Sequence, residues 1–287
     1  VWTLHMRMLV TGLTGRIGFP VLRELRASGW RVRGLLRGAP SDRLSCLLDE
    51  VYEGDIRQEN TWQEALENVD VVVHLAGVSR NVPEVFSTNV LSTHRMVSVA
   101  IARRVKRIVV ASSTCVLGHC DRAANLPFDL SYAPVDEEHP LRPEADYALS
   151  KHVSEEVLRA ASRSGKLEVV ALRLAWVWSD RTCEERRTRP FQEARYAPTL
   201  WAYVHEEDCA QAFRLALDRP LPNRFEAMFI SAADTTADTP SRQLVERYFP
   251  QAEAGRLLAG KRESLFSYRK AQQVLGYRPS RSWCDAL

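Results

Sequence analysis

No apolar run in this 287-residue chain approaches the roughly 20 residues needed to cross a bilayer as a helix, so a soluble protein is expected. The opening Val-Trp-Thr-Leu-His-Met-Arg-Met has no long apolar stretch, so no secretory leader is expected there. Six cysteines (46, 115, 120, 183, 209 and 284) are scattered without a C-x-x-C pair. That argues against a zinc site or a disulfide framework and fits a reducing cytoplasm. Excess charge is also scarce: a net +3 is too little to argue for a nucleic-acid partner. Internal repeats and low-complexity stretches are missing. With 45% hydrophobic and 26% charged residues, the chain reads as globular, forming one large domain or two modest ones.

What is present alternates. Met6 to Thr11, Trp30 to Leu36, Val69 to Leu75, Arg107 to Ala111 and Glu168 to Leu174 read as strands, several nearly continuous in β-branched residues. Ile17 to Ser28, Thr88 to Arg104 and Ser150 to Arg163 read as helices, the first ending at Gly29. Strands alternating with helices predict an α/β fold, a Rossmann-type doubly wound parallel sheet. This domain is expected over residues 1–178, with 204–218 returning to it. Residues 179–287 are expected to form a small C-terminal substrate subdomain, with 180–198 as a loop or lid.

Three local patterns carry chemistry. Thr11-Gly12-Leu13-Thr14-Gly15-Arg16-Ile17-Gly18 lies where a strand turns into a helix. Glycines at those positions permit a tight turn, close backbone approach to a pyrophosphate, and close helix packing. The helix N-terminus offers free N–H groups to the phosphates. Ser112-Ser113-Thr114 follows a later strand, and Asp146-Tyr-Ala-Leu-Ser-Lys151 follows that. Tyr147 and Lys151, four apart, share a helix face. A phenol titrates near about 10, and a nearby ammonium favours the phenolate. Tyr147 is thus equipped to exchange a proton with a hydroxyl or carbonyl while hydride moves to or from a nicotinamide.

The second strand, Arg31-Val-Arg33-Gly-Leu-Leu36-Arg37, lacks the acid that holds an adenosine ribose diol. Arg37 is instead suited to a 2′-phosphate, so NADP(H) is favoured over NAD(H). The alternative leaves Arg33 and Arg37 merely solvated, with Asp42 reaching the ribose. Asp55 and Ile56, after the third strand, are placed to contact adenine.

These motifs resemble the extended short-chain dehydrogenases, the NAD-dependent epimerase/dehydratase family, over nearly the whole chain. T-G-x-x-G-x-x-G appears as Thr11 to Gly18, and H-L-A-[AG] as His74-Leu75-Ala76-Gly77. Asn89 stands in the following helix. Val204-His-Glu-Glu-Asp208 and Ala271-Gln-Gln-Val-Leu-Gly276-Tyr-Arg-Pro279 match the family's tail. The resemblance implies Ser113 as the catalytic hydroxyl with Tyr147 and Lys151, the last also holding the nicotinamide ribose. It implies cofactor contacts at Gly12, Thr14, Gly15, Arg16, Ile17, Gly18, Leu75, Ala76, Gly77 and Ala175. Substrate contacts are expected from Ser79, Ser113, Thr114, Trp176 and Trp178, although either tryptophan could be core. It also implies a homodimer through a helix bundle. No metal, nucleic acid or membrane is expected to take part.

The chain departs from the family at two places. Leu117 stands where a Tyr is common, and only about thirty residues separate Arg173 from Val204. Nucleotide-sugar epimerases carry a longer segment there. Uronate dehydrogenases resemble this chain in having a short connection, though they place an acid on the second strand. The expected activity is therefore hydride transfer at a secondary alcohol or carbonyl of a small sugar-like substrate. The alternatives are a nucleotide-sugar 4-epimerase or dehydratase with tightly bound NAD, and a non-catalytic NADP-sensing protein. No Asp-Glu pair follows Ser113, which counts against a dehydratase. One of the arginines at 181–195 is either a substrate anchor or part of a solvated loop. His119 and Cys120 lie near the expected pocket mouth, with no activating partner for the thiol evident in the sequence.

Overall fold

Alternate residues of the central strands enter different hydrophobic cores, and that alternation wraps helices around both faces of one sheet. The computed structural model describes residues 6–79, 82–120, 128–163, 167–255, 257 and 259–285. The order is β1 (Arg7–Thr11), α1 (Gly18–Ala27), β2 (Arg31–Leu36), α2 (Asp42–Ser45), β3 (Glu50–Glu53), α3 (Glu59–Ala65) and β4 (Val71–His74). There follow α4 (Ser92–Ala102), β5 (Arg107–Ser113), α5 (Asp146–Arg163), β6 (Glu168–Leu174), β7 (Trp176–Trp178), α6 (Asp180–Thr188) and α7 (Glu193–Tyr196). The last elements are β8 (Tyr203–His205), α8 (Glu206–Asp218), β9 (Phe225–Ile230), α9 (Ser241–Tyr248) and α10 (Arg269–Leu275).

Seven strands pair in the order β3-β2-β1-β4-β5-β6-β9, and every pairing is parallel. Leu9, Val72, Ile108 and Val169 pack with Trp62, Met96 and Leu158 from α3, α4 and α5. Their neighbours Val10, Val73, Val109 and Val170 belong to the core that holds Val21 and Leu25 of α1 and Phe213 of α8. Burying each such side chain is worth about 1.5–3 kcal/mol, so the two-sided sheet is held mainly by these layers. The strand order reverses between β1 and β4. In doubly wound sheets that reversal opens a crevice at the strands' carboxyl ends, where ligands bind.

Three expectations change. Residues 180–198 are not an irregular loop but carry α6, α7 and a short turn at Ala197–Thr199. Arg186 stacks on the rings of Phe191 and Trp283 and pairs with Asp238, while Arg187 donates to the Trp283 and Asp285 carbonyls. Tertiary anchoring of this kind leaves no apolar periodicity to read. Second, the segment 179–287 is not wholly separate, because β9 pairs with β6 in the main sheet. A two-stranded sheet pairs β7 with β8, which lies at the start of the stretch expected to return to the main domain. Third, the helix expected from Thr88 opens as a wide π turn, Ser87–Leu91, before α4.

The chain's last described segment is fastened back to the core. Asp208, buried at the start of α8, accepts from the Ser280 amide and hydroxyl and the Arg281 amide. Trp283 joins Trp178, Cys183, Tyr203 and Ala232 in a third, smaller hydrophobic cluster.

Candidate active site

The phosphate loop is built where β1 ends. Gly12 has φ +76, and a Cβ there would overlap the backbone of Leu75 and Ala76 at the end of β4. Only glycine allows that contact without strain. Gly15 and Gly18 close successive turns, their amides donating hydrogen bonds to the Gly12 and Gly15 carbonyls at 3.0 and 3.1 Å. Thr11 Oγ1 lies 2.8 Å from His74 Nδ1 and accepts from the Ala76 amide at 3.2 Å, which ties the two strand ends together. Ile17 is buried beneath the loop, and Thr14 is exposed. Arg16 reaches outward to donate to the Val177 carbonyl at 3.1 Å, a link from the loop to β7.

A cavity of about 540 Å³ opens above this loop, a size usual for a small-molecule site. Its walls include Gly12, Thr14, Gly15, Arg37, Asp55, Ile56, Leu75, Ala76 and Gly77. Nine residues expected at the cofactor are therefore brought to one place. Arg33 is not solvated as the sequence allowed: it pairs with Glu50 and donates to the Ala65 and Glu67 carbonyls. Asp42 starts α2 and is absent from the cavity's lining. Arg37 is exposed in the cavity wall. Arg57, unnoticed in the sequence, lines the same wall and binds Asp55 through Nε and Nη2, at 3.1 and 2.6 Å. That guanidinium holds the Asp55 carboxyl below the usual carboxylate range, with a smaller contribution from Arg37.

Gly77, in the wall of this cavity, lies beside Asn89 and Lys151. A Cβ at Gly77 would stand 3.0 Å from Asn89 Oδ1 and 3.4 Å from Lys151 Nζ. Ser113 ends β5 and its Oγ accepts the Cys115 amide at 3.2 Å, capping the short helical turn Thr114–Leu117. Thr114, the first residue of that turn, is buried. Tyr147 and Lys151 project from the first turns of α5, with Lys151 Nζ 6.0 Å from the Tyr147 ring centre. Lys151 Nζ donates to the Ala111 carbonyl at 2.8 Å. Burial of the ammonium pulls its pKa down to about 8, a shift that the Glu155 carboxylate opposes. The ammonium is the desolvated part, since the residue as a whole keeps partial exposure. His74, buried, has its pKa lowered to about 3, first by burial and then by the Lys151 charge.

The π turn has a local cause. Asn89 clasps the Val78 amide and carbonyl and donates to Ser150 Oγ, while its own carbonyl accepts from Thr93 and Ser154. Widened turns of this sort recur at functional sites.

Other expected residues are distributed differently. Ser79 is exposed, and Ala175 is buried with its amide on the Ile230 carbonyl. Trp178 is 2% exposed and packs on Tyr203, so the wall role expected of it is replaced by a core role. Trp176 is 44% exposed and stacks on Tyr196. His119 does supply the neighbour that the sequence did not reveal for Cys120, with Nε2 3.2 Å from the sulfur. Burial lowers the His119 pKa to about 3, so it provides no imidazolium to generate a thiolate. Among the described residues no group of three His, Cys, Asp or Glu could hold a metal, and no helix is long and apolar enough to cross a membrane.

A glycine-lined crevice at the strand-order reversal, with Lys151 beside its Gly77 edge, fits a nicotinamide-dinucleotide enzyme of the short-chain dehydrogenase type. Residues 8–227 match the NAD dependent epimerase/dehydratase family, and the chain belongs to it. It is 29% identical over 239 residues to the L-arabinose 1-dehydrogenase (NAD(P)(+)) of Haloferax volcanii, covering 79% of this chain and 89% of that protein. It is also 29% identical to the uronate dehydrogenase of Pseudomonas syringae pv. tomato, over 58% of each chain. In three dimensions it is similar to MoeE5 in complex with UDP-glucuronic acid and NAD, with TM-score 0.69 and 24% identity over 96% of this chain and 94% of that one. At that identity the likeness establishes the fold.

Proposed function

We propose that this protein is a reversible NAD(P)-dependent oxidoreductase acting on a secondary alcohol or carbonyl of a small sugar-like molecule. The observation that carries the reading is the junction at Gly77, where the glycine-loop cavity comes beside Lys151, on the helix face it shares with Tyr147. The cavity fits the cofactor. Gly12 leaves the space a Cβ would fill, the amides at the start of α1 would hold the phosphates, and Asp55 and Ile56 would contact the adenine. When bound, the nicotinamide supplies or accepts the hydride. Ser113 Oγ hydrogen-bonds the reacting oxygen, Tyr147 gives or takes its proton, and the Lys151 ammonium favours the phenolate and holds the ribose.

The small lobe formed by 179–202 and 231–285 would cover the substrate, with exposed Trp176 at its edge. The short connection from Arg173 to Val204 favours a monosaccharide over a nucleotide sugar. Both enzymes named above, by their names, act on unlinked sugars or uronates. Exposed Leu91 and Ile101, on the π turn and α4, suit a homodimer built on that helix. The six unbridged cysteines fit a reducing, cytoplasmic setting.

The test is a panel of L-arabinose, galacturonate, their oxidised forms and UDP-glucose with each cofactor, followed by nicotinamide absorbance and product NMR. Turnover of an external cofactor with a free sugar is expected. An altered nucleotide sugar without net change in external cofactor would establish the epimerase instead. Cofactor binding with no turnover of any member would favour a sensor.

NADP(H) is the preferred cofactor in this reading, because Arg37 is exposed in the cavity wall and no acid stands at the end of β2. Arg37→Ala should weaken NADPH binding by roughly tenfold to a hundredfold, since a hydrogen bond to a charged group is worth about 1.5–3 kcal/mol. NADH binding should change little. Calorimetry giving equal losses, or a wild type that prefers NADH, would refute the preference.

A further inference from the structure

Glu155 lies one helical turn beyond Lys151 on α5 and is 1% exposed. Its carboxylate accepts from Arg173 at 2.8 and 3.1 Å and from Ser112 Oγ at 2.5 Å. Arg173 is itself buried, and its Nη1 has no partner among the described residues. A buried ion pair is a poor way to gain stability, since well-packed apolar side chains of similar volume do as well or better. What such a pair does provide is a fixed negative charge in a fixed place.

That place is beside Lys151. Both residues line a void of about 10 Å³ with His74, Asn89, Ser112 and Ser154, room for about one water. The groups facing Lys151 come from four elements: His74 on β4, Asn89 on the π turn, Ser112 on β5, and Tyr147, Ser154 and Glu155 on α5. His74 is held neutral by burial. Of these six, Glu155 is the one whose paired form carries a negative charge.

We propose that Glu155 is a positioning residue: anchored by Arg173 and Ser112, it keeps the Lys151 ammonium charged and fixed beneath the cofactor site. This rests on the proposed roles of Tyr147 and Lys151. Burial alone drives Lys151 towards the neutral amine, and a neutral amine neither favours the Tyr147 phenolate nor holds the ribose as a cation. The chain Arg173–Glu155–Lys151 thus alternates positive, negative, positive near the carboxyl ends of β5 and β6.

The test requires no substrate. The sequence holds five lysines, so the full chain labelled with 13C-lysine gives few Cε signals, and Lys151→Arg identifies the one from Lys151. In the wild type this signal should titrate at about 8. In Glu155→Gln the midpoint should fall by about one unit or more, the effect of losing a near opposite charge. Because Glu155→Gln strands Arg173, the doubly apolar Glu155→Leu/Arg173→Leu variant is measured beside it. That variant removes the pair without leaving an unpaired charge and should show the same direction of change. An unchanged Lys151 midpoint in either folded variant would overturn the proposal and leave Glu155 a purely structural partner of Arg173. Failure of the functional reading would be seen elsewhere, as turnover that survives loss of Tyr147 or Lys151.

Discussion

Replacing Tyr147 with phenylalanine should lower turnover by about a hundredfold to ten-thousandfold, the usual worth of a positioned acid or base. The substitution removes one oxygen and almost no surface. The ring that lies 6.0 Å from Lys151 Nζ stays in place, and so does the carbonyl that receives the Ser150 hydroxyl. Cofactor affinity, measured by calorimetry, should therefore remain near the wild-type value, because the lost interaction belongs to the transition state. A variant that retained the wild-type rate would remove Tyr147 from the chemistry altogether.

Gly12→Val should abolish useful cofactor binding, weakening it by at least about a hundredfold, or roughly 3 kcal/mol. Two costs add. A β-branched residue at φ +76 is strained, by about 1–3 kcal/mol. Its Cβ would also overlap the Leu75 and Ala76 backbone, which forms the opposite wall of the cavity. Relief requires pushing β1 and β4 apart where Thr11, His74 and the Ala76 amide join them. Calorimetry with either dinucleotide checks the result, and retained affinity would show that the loop does not need its close approach. The melting temperature should fall as well, since the same strand ends cap the core.

Much of this could be read from the chain because the relevant signals are local. The β-branched runs at 71–74 and 107–113 and the glycine spacing from Gly12 to Gly18 each need only a short window. The Tyr147 and Lys151 spacing is weak by itself and gains its meaning from the glycine loop and the Ser112–Thr114 run that precede it. What escaped is non-local. α6 has almost no apolar face and is held by Arg186 on two aromatic rings, one of them nearly a hundred residues away. β9 lies after a Pro- and Asn-bearing stretch and finds its partner in β6 across the intervening lobe. Trp176 and Trp178 are alike in sequence, yet Trp283 and Tyr203 cover only the second. Glu155 reads as one more exposed helix acid until Arg173 is seen beside it.

The closing segment also sets a timetable for synthesis. Domains generally form from the N-terminus as the chain emerges, at about 5–20 residues per second. Strands β1 to β6 are available once residue 174 has appeared, so the nucleotide half can begin to form early. Trp178 and Tyr203 must wait for Trp283, which emerges about 110 residues after β6, and Asp208 must wait for Ser280 and Arg281. For roughly 5–20 seconds the growing molecule therefore holds a nearly finished cofactor crevice beside an open seam of indole and phenol. During that interval Trp178 and Tyr203 lack the Trp283 ring that completes their cluster in the finished protein.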